Sequence, residues 1–291
     1  MMYKSEESDI RLDVYLSKVL DISRSQADKM IKNKEVLVNG EEVKNGKILK
    51  IGDEISVNHN FDETFEAEDM DLDIVYEDDD VIVVNKANGV VVHPALGNLH
   101  GTLVNGLMAH AKLSDLNGEY RPGIVHRIDA YTTGLLMVAK NNKAHEILAS
   151  ELAAKKTYRK YVALVWGKIM NDTGVIDAPI GRSKKDRKKM AVVSGGKEAI
   201  THFKVLKRFE DATLIELQLE TGRTHQIRVH MDYIGHPVVN DPVYGKRKII
   251  DNTGQCLHAK ELGFTHPTTH EYMQFDSELP AEFINILNKF R

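Results

Sequence analysis

Apolar positions along this chain change their period twice, and the changes mark its parts. Near the N-terminus Ile10, Val14, Leu16, Val19 and Leu20 approximate a helical stripe. Ser23 or Ser25 can cap a second short helix, with Ala27, Met30 and Ile31 facing inward. VLVNG reads as a strand running into an Asn-Gly turn, and KILKIGDEISV as a strand, a Gly-Asp turn and another strand. Two helices followed by small strands give a module over residues 1–60. A core of that size is marginal, which favours a docking surface over chemistry.

From Ile74 the pattern becomes strands and turns. IVYE, VIVVNK, VVVH, IVHR and LLMVAK read as strands, several of them continuously apolar, as expected where both faces of a sheet are covered. Thr102 caps a helix to His110, and Asn141 or Asn142 caps the helix NKAHEILASELA. TYRKYVALVWG is a long β-branched and aromatic strand, and HFKVLKRF pairs with TLIELQLE around Glu210-Asp211. THQIRVHMDYIGHP breaks the strand pattern: Thr224 caps a helix with Ile227, His230, Met231 and Ile234 on one face, and Gly235 and Pro237 end it. Sheet with interspersed helices over 74–291 predicts an α+β domain.

Composition narrows the classes. The chain has 291 residues, 42% apolar and 28% charged, which suits about two folded domains and excludes disorder. Its longest clean apolar run, GLLMVA, is far short of the roughly 18 residues a membrane span needs. MMYKSEESDIR carries no export signal, and a single cysteine, Cys256, excludes an internal disulfide and a cysteine-built zinc site. A cytoplasmic setting is therefore expected. The net charge of −4 hides an uneven distribution. Residues 61–80 hold 11 acids and no base, whereas 81–291 hold 29 bases against 21 acids. The acidic stretch 61–73 reads as an extended linker, because like charges repel and bury no core.

Three clusters could carry chemistry. GIVHRIDAYTTG places Asp129 in a turn-rich loop after a strand, two residues from Arg127. GRTHQIRVH places Arg223 at a strand-to-helix junction and Arg228 on the helix, away from its apolar stripe, where a buried arginine needs an anionic partner. Alternation along TYRKYVALVWG puts Arg159, Tyr161, Ala163 and Val165 on one strand face. A carboxylate, an arginine and a tyrosine suit nucleophilic or acid–base chemistry without a cofactor. A kinase reading of HRID fails on spacing and on the lack of a Gly-rich loop. A zincin fails because His225 and His230 are five apart on a helix. A glycosidase needs a second carboxylate; Asp232 and Asp241 are candidates that spacing does not separate.

These clusters, in this order, resemble the RluA family of pseudouridine synthases, and within it the RluD-like members. GIVHRID, TTGLLMVAK, GRTHQIRVHM and KYVAL carry the resemblance, with VVVHPALGNLHGTLVNGL and GQCLHAKELGFTHP in agreement, so that it covers nearly the whole chain. The order RLDVYLSKVL, SRSQADKMI, VLVNGEEVKNG and GDEISV resembles the αL RNA-binding motif, in which Ser23, Arg24, Ser25 and Lys32 correspond to the RNA-facing surface.

The resemblance implies a mixed, mostly antiparallel central sheet with flanking helices. It also implies isomerisation of uridine in structured RNA with no cofactor or metal. On it, Asp129 matches the nucleophilic aspartate, Arg127 the arginine that enters the RNA stack as the target nucleotide leaves, Tyr161 the tyrosine beneath the base, and Arg228 the arginine paired with the aspartate. The expected partner is large-subunit ribosomal RNA or a pre-ribosomal particle, met by a monomer. The residue types fit: the arginine favours the ionised aspartate and offsets its desolvation, the tyrosine stacks, and extruding a base costs a few kcal/mol. RSKKDRKK over 182–189, with Lys184, Lys185 and Arg187, reads as a basic loop for phosphates, while Arg223 is expected to contact RNA. One departure stands out: Ala130-Tyr131 follows the aspartate where the family usually has a charged pair, and Tyr131 could stack on a base. The rival reading is a non-catalytic RNA-binding assembly factor.

Overall fold

A computed structural model describes residues 1–20, 22, 24–58, 65–94, 99–118, 121–186, 189–245 and 249–290. In it the chain divides into two units, Met1–Thr64 and Phe65–Arg291. The first contains β1 (Met2–Lys4), α1 (Leu12–Val19), α2 (Arg24–Lys32), β2 (Val36–Val38), β3 (Glu41–Glu42) and β4 (Glu54–Val57). The strands form an antiparallel sheet in the order β1-β4-β2-β3.

The buried face of α1 matches the expected stripe only in part: Leu16 is fully buried, and Ile10 and Leu20 pack on the same core. Leu12, Tyr15 and Leu16, spaced i, i+3, i+4, enter the core, while Val19 is exposed. Asp13 shares the buried side because Arg11 and Arg24 both pair with it. Ala27, Met30 and Ile31 face inward from α2 as expected, and meet Val36, Val38, Ile55 and Val57 from the sheet. The expected cap Ser23 lies outside the described residues, as does the side chain of Ser25.

The second unit opens with a strap. Phe65–Asp73, expected as part of a linker, has no regular structure but lies against the unit it leads into. Phe65 and Leu72 pack on the core, and the Glu68 carboxylate accepts from the Gly101 amide and contacts His100. Hydrogen bonds from the Glu68 amide to the Asn105 carbonyl and from the Asn105 side chain to the Glu66 carbonyl hold the strap against a helix, with Phe65, Met70 and Leu72 half-buried and Glu66, Asp69, Asp71 and Asp73 exposed.

Then follow β5 (Ile74–Glu77), β6 (Val81–Lys86), α3 (Leu103–His110), β7 (Thr133–Ala139), α4 (Asn142–Ala153) and β8 (Tyr158–Trp166). Beyond these lie β9 (Thr173–Asp177), β10 (Ile180–Arg182), β11 (Met190–Val192), β12 (Ile200–Arg208) and β13 (Ala212–Leu219). The unit ends with α5 (Gln226–Tyr233), β14 (Leu257–Thr265), β15 (Tyr272–Asp276) and α6 (Ala281–Leu287). Nine strands make one sheet, in the order β5-β6-β7-β14-β8-β13-β12-β9 with β15 on β14. Only β7 and β14 run parallel among the described pairs, which gives the mixed, mostly antiparallel sheet of an α+β fold.

Alternation sorts the strand residues into two apolar layers. Tyr161, Ala163 and Val165 of β8 join Ile215 and Leu217 of β13 under α3 and α5, whereas Val162 and Leu164 face Phe283 and Ile286 of α6. Gly134 sits where β7 approaches β14. A Cβ there would lie 2.3 Å from the Ala259 carbonyl oxygen, and its φ is +106°, so only glycine lets the parallel pair close.

Two expected strands are irregular. VVVH forms no strand, and IVHR makes one isolated bridge, Ile124 to Val138. There the Met137 amide donates to His126 Nε2 instead of to a backbone carbonyl, so a side chain replaces part of the ladder.

Candidate active site

Asp129 reaches the cleft from the loop that enters β7. The Asp129 carbonyl accepts from the Thr132 amide, closing a turn, and Thr132 is held by the Gln255 side chain. Under the loop lies Lys86, 2% exposed at the end of β6. Its ammonium donates to three carbonyls, Ala87 at 2.8 Å, Val90 at 2.9 Å and Ala130 at 2.7 Å. Burial pushes its pKa down to about 7, against the pull of the Asp129 carboxylate. Ala130, the first residue of the departure from the family pattern, thus serves the loop through its backbone. Tyr131 is exposed and lies against Gly254.

The helix α5 supplies the counter-charge. Arg228 Nη1 donates to Asp129 Oδ2 at 2.8 Å, while its Nε and Nη2 grip Asp241 in a bidentate pair at 2.7 and 2.8 Å. Asp241 is completely buried and also accepts from the Val243 and Tyr244 amides. Burial works to raise the Asp241 pKa, but Arg228 and the two amides overcome it and the net shift is downward. For Arg228, burial pulls down and the two carboxylates more than reverse it. The arginine is therefore a fixed cation: one anion locks it from below, and the second, with a side chain 25% exposed, stands at the cleft.

α5 does not begin as the sequence suggested. Its N-cap is His225 in the left-handed conformation, φ +56°, not Thr224. Thr224 instead accepts from Arg127 Nη2 at 3.4 Å. The conformation turns His225 towards the site, with Nδ1 2.9 Å from the Tyr244 hydroxyl and Nε2 3.8 Å from Asp129 Oδ1. The Met190 amide also donates to that hydroxyl.

Asp129, Arg228 and Tyr161 line one cleft of about 450 Å³, with Arg127 and Arg223 also in its wall. Tyr161 is buried on β8, and burial raises the pKa of its hydroxyl. Arg127 is exposed, 3.5 Å from His93 Nε2. Arg223 donates to the Glu198 carbonyl at 2.8 Å. Arg159, two residues before Tyr161, lines the same cleft.

The other expected RNA contacts are spread more widely. Arg24 is ion-paired to Asp13 at 2.8 Å with its side chain 60% exposed, and Lys32 is exposed at the end of α2. Lys184 and Lys185 are exposed in the connection between the antiparallel β10 and β11; Arg187 lies outside the described residues. Sequence reasoning gave no role to Lys86, His225 or Arg159. It also left Asp241 level with Asp232, because the link from Asp241 to Arg228 spans 13 residues and a turn.

With this geometry in view, comparison with known proteins is decisive. Residues 80–233 match the family model described as RNA pseudouridylate synthase, and residues 10–55 match that of the S4 domain. The chain belongs to the RNA pseudouridine synthase family. As a member it is an isomerase acting on RNA, with an S4 domain for RNA binding. It is 55% identical to the uncharacterized RNA pseudouridine synthase YlyB of Bacillus subtilis, over 98% of this chain and 96% of that one. It is 42% identical to ribosomal large subunit pseudouridine synthase D of Pseudomonas aeruginosa, over 92% of this chain and 88% of that one. Among solved structures, human RNA pseudouridylate synthase domain containing 1 superposes with a TM-score of 0.59 at 29% identity, covering 72% of this synthase and 83% of the human chain. Among the described residues no helix of the synthase is long and apolar enough to cross a membrane.

Proposed function

We propose that this synthase converts particular uridines of large-subunit ribosomal RNA, free or in a pre-ribosomal particle, to pseudouridine in the cytoplasm, with Asp129 as nucleophile. The observation that carries the chemistry is the Asp241–Arg228–Asp129 chain: a buried pair presents one oriented carboxylate, with Asp129 Oδ1 still unbonded to the arginine, in a cleft that also holds Tyr161. The substrate reading draws support from relatives named ribosomal large subunit pseudouridine synthase D, at 42–48% identity, and from the S4 domain.

The target nucleotide leaves the RNA stack, and the exposed Arg127 takes its place. The uracil lies against Tyr161. Asp129 attacks the anomeric carbon or carbon 6, or stabilises a glycal. In every route the bond from C1′ to N1 breaks and the bond from C1′ to C5 forms. The proton on C5 is lost and N1 gains one, so atoms balance without a redox partner. The domain limits that suit this division of labour are 1–60 for RNA docking, with Arg24 and Lys32, and 74–291 for catalysis. Lys184, Lys185, Arg187 and Arg223 bind phosphates of the RNA.

Mapping pseudouridines in ribosomal RNA from cells lacking the gene, with purified protein restoring them on transcribed RNA, tests the reading. Large-subunit sites that disappear and return support it. An unchanged rRNA map, or sites lost only from another RNA class, overturns the substrate.

A further inference from the structure

Arg228 is occupied by two carboxylates, Arg127 and Arg223 touch other protein groups, and Arg121 is exposed, which leaves one buried cation in the wall of the cleft still to be accounted for. Arg159 is 7% exposed. Its Nε is sealed from solvent without a hydrogen-bond partner, and none of the described carboxylates pairs with its guanidinium. A buried cation left without hydrogen bonds is costly, and a fold retains one where a ligand completes it. Two neighbours keep the position open. A Cβ on Gly222 would stand 2.8 Å from Nη1, so the glycine leaves the guanidinium room. Its neighbour His126 supplies no negative charge: Nε2 accepts the Met137 amide, and burial, reinforced by the Arg159 charge, holds the ring neutral.

The ligand group must be electron-rich, and depth decides its kind. Phosphates at the cleft mouth meet the exposed Arg121 and Arg127 first. Arg159 shares a strand face with Tyr161, and side chains two apart on a strand stand about 7 Å from each other. A pyrimidine resting on the Tyr161 ring therefore brings a carbonyl oxygen within reach of the Arg159 fork, whereas its phosphates stay outside. A guanidinium only donates, so it meets the carbonyls of uracil and not an exocyclic amine.

We propose that Arg159 donates hydrogen bonds to a carbonyl oxygen of the extruded uracil and stabilises the negative charge the ring acquires during isomerisation. The assignment rests on the reading of the cleft as a uridine site. When the glycosidic bond breaks, its electron pair leaves with N1 and spreads onto O2 and O4. If Asp129 instead adds to carbon 6, the electrons move towards O4. Arg159 transfers no proton in either case. It acts where charge develops, so its effect falls on turnover more than on RNA affinity.

Single-turnover rates and RNA affinities of the full-length protein, Arg159→Met and Arg159→Lys, on one transcribed substrate, test this. Arg159→Met should lower the rate by about 10²-fold or more, the usual loss on removing such a donor. RNA affinity should stay within a few-fold, and the melting temperature should not fall, because the variant removes an unpaired buried charge. Arg159→Lys should recover part of the rate, and it carries the comparison if the Met variant does not fold. A folded Met variant with an unchanged rate overturns the assignment. So does a variant whose loss lies in affinity with a flatter salt dependence, which places Arg159 on a phosphate. A wild-type protein that forms no isomer on any ribosomal RNA fails the functional reading itself, and this assignment with it.

Discussion

Both units of the chain bury an aspartate against arginine, and they do so inside out with respect to each other. In the first, the carboxylate of Asp13 is 3% exposed and its partners Arg11 and Arg24 are 49% and 60% exposed. The anion is structural and the cations face outward. In the second, Arg228 is the buried member, fixed by the fully buried Asp241, and the group left at the surface of a cleft is the anion Asp129. The outward partner sets what each unit can meet. Exposed guanidinium groups suit a phosphate backbone, while a carboxylate backed by a locked cation suits an electrophilic carbon. On the proposed function, similar pairing chemistry serves docking in one place and reaction in the other.

The contrast can be broken most severely at Arg228. Arg228→Met should strand Asp241 as a buried, unpaired carboxylate, a change that typically costs about 3–5 kcal/mol. Arg24→Met leaves Asp13 with Arg11 and should shift stability far less. Urea denaturation of the two variants checks the difference, and equal shifts would mean that Asp241 is not locking the arginine.

A smaller effect separates the units by acid. The Arg11 hydrogen bond, with Arg24 adding to it against the cost of burial, holds the Asp13 pKa down to about 2. A carboxyl depressed in the folded state contributes fully above its unfolded pKa of about 3.9 and loses that contribution as pH falls through the folded value. Asp13→Asn should therefore flatten the acid dependence of the first unit between about pH 4 and pH 2, read by hydrogen exchange of α1 and α2 amides, with the second unit unaffected.

How much of this was legible in the sequence differs between the two units. The three clusters of the second unit pointed to Asp129, Tyr161 and Arg228, and the structure brings them into one cleft. Arg228 could be recognised as needing an anion because helical period placed it off the apolar stripe. Which anion was not legible, since Asp241 reaches it through a turn and not through helical spacing. Lys86 was hidden because a lysine ending a strand reads as a solvated terminus, and only the tertiary fold places three carbonyls around it. The cap of α5 was misjudged because Thr224 is a good capping residue by type, whereas the chain takes a left-handed turn at His225. In the first unit, period found Leu16 and the flanking Ile10 and Leu20 but put Val19 on the buried face in place of Leu12 and Tyr15. Asp13 occupies that face through ion pairs that no hydrophobic pattern encodes.

The direct test of the central claim is single-turnover isomer formation by Asp129→Asn on transcribed large-subunit RNA, measured beside its RNA affinity. Asparagine keeps the shape and can still accept from Arg228, but it removes the proposed nucleophile. The account predicts that product vanishes while affinity stays within a few-fold. Turnover that persists in the folded variant would contradict it.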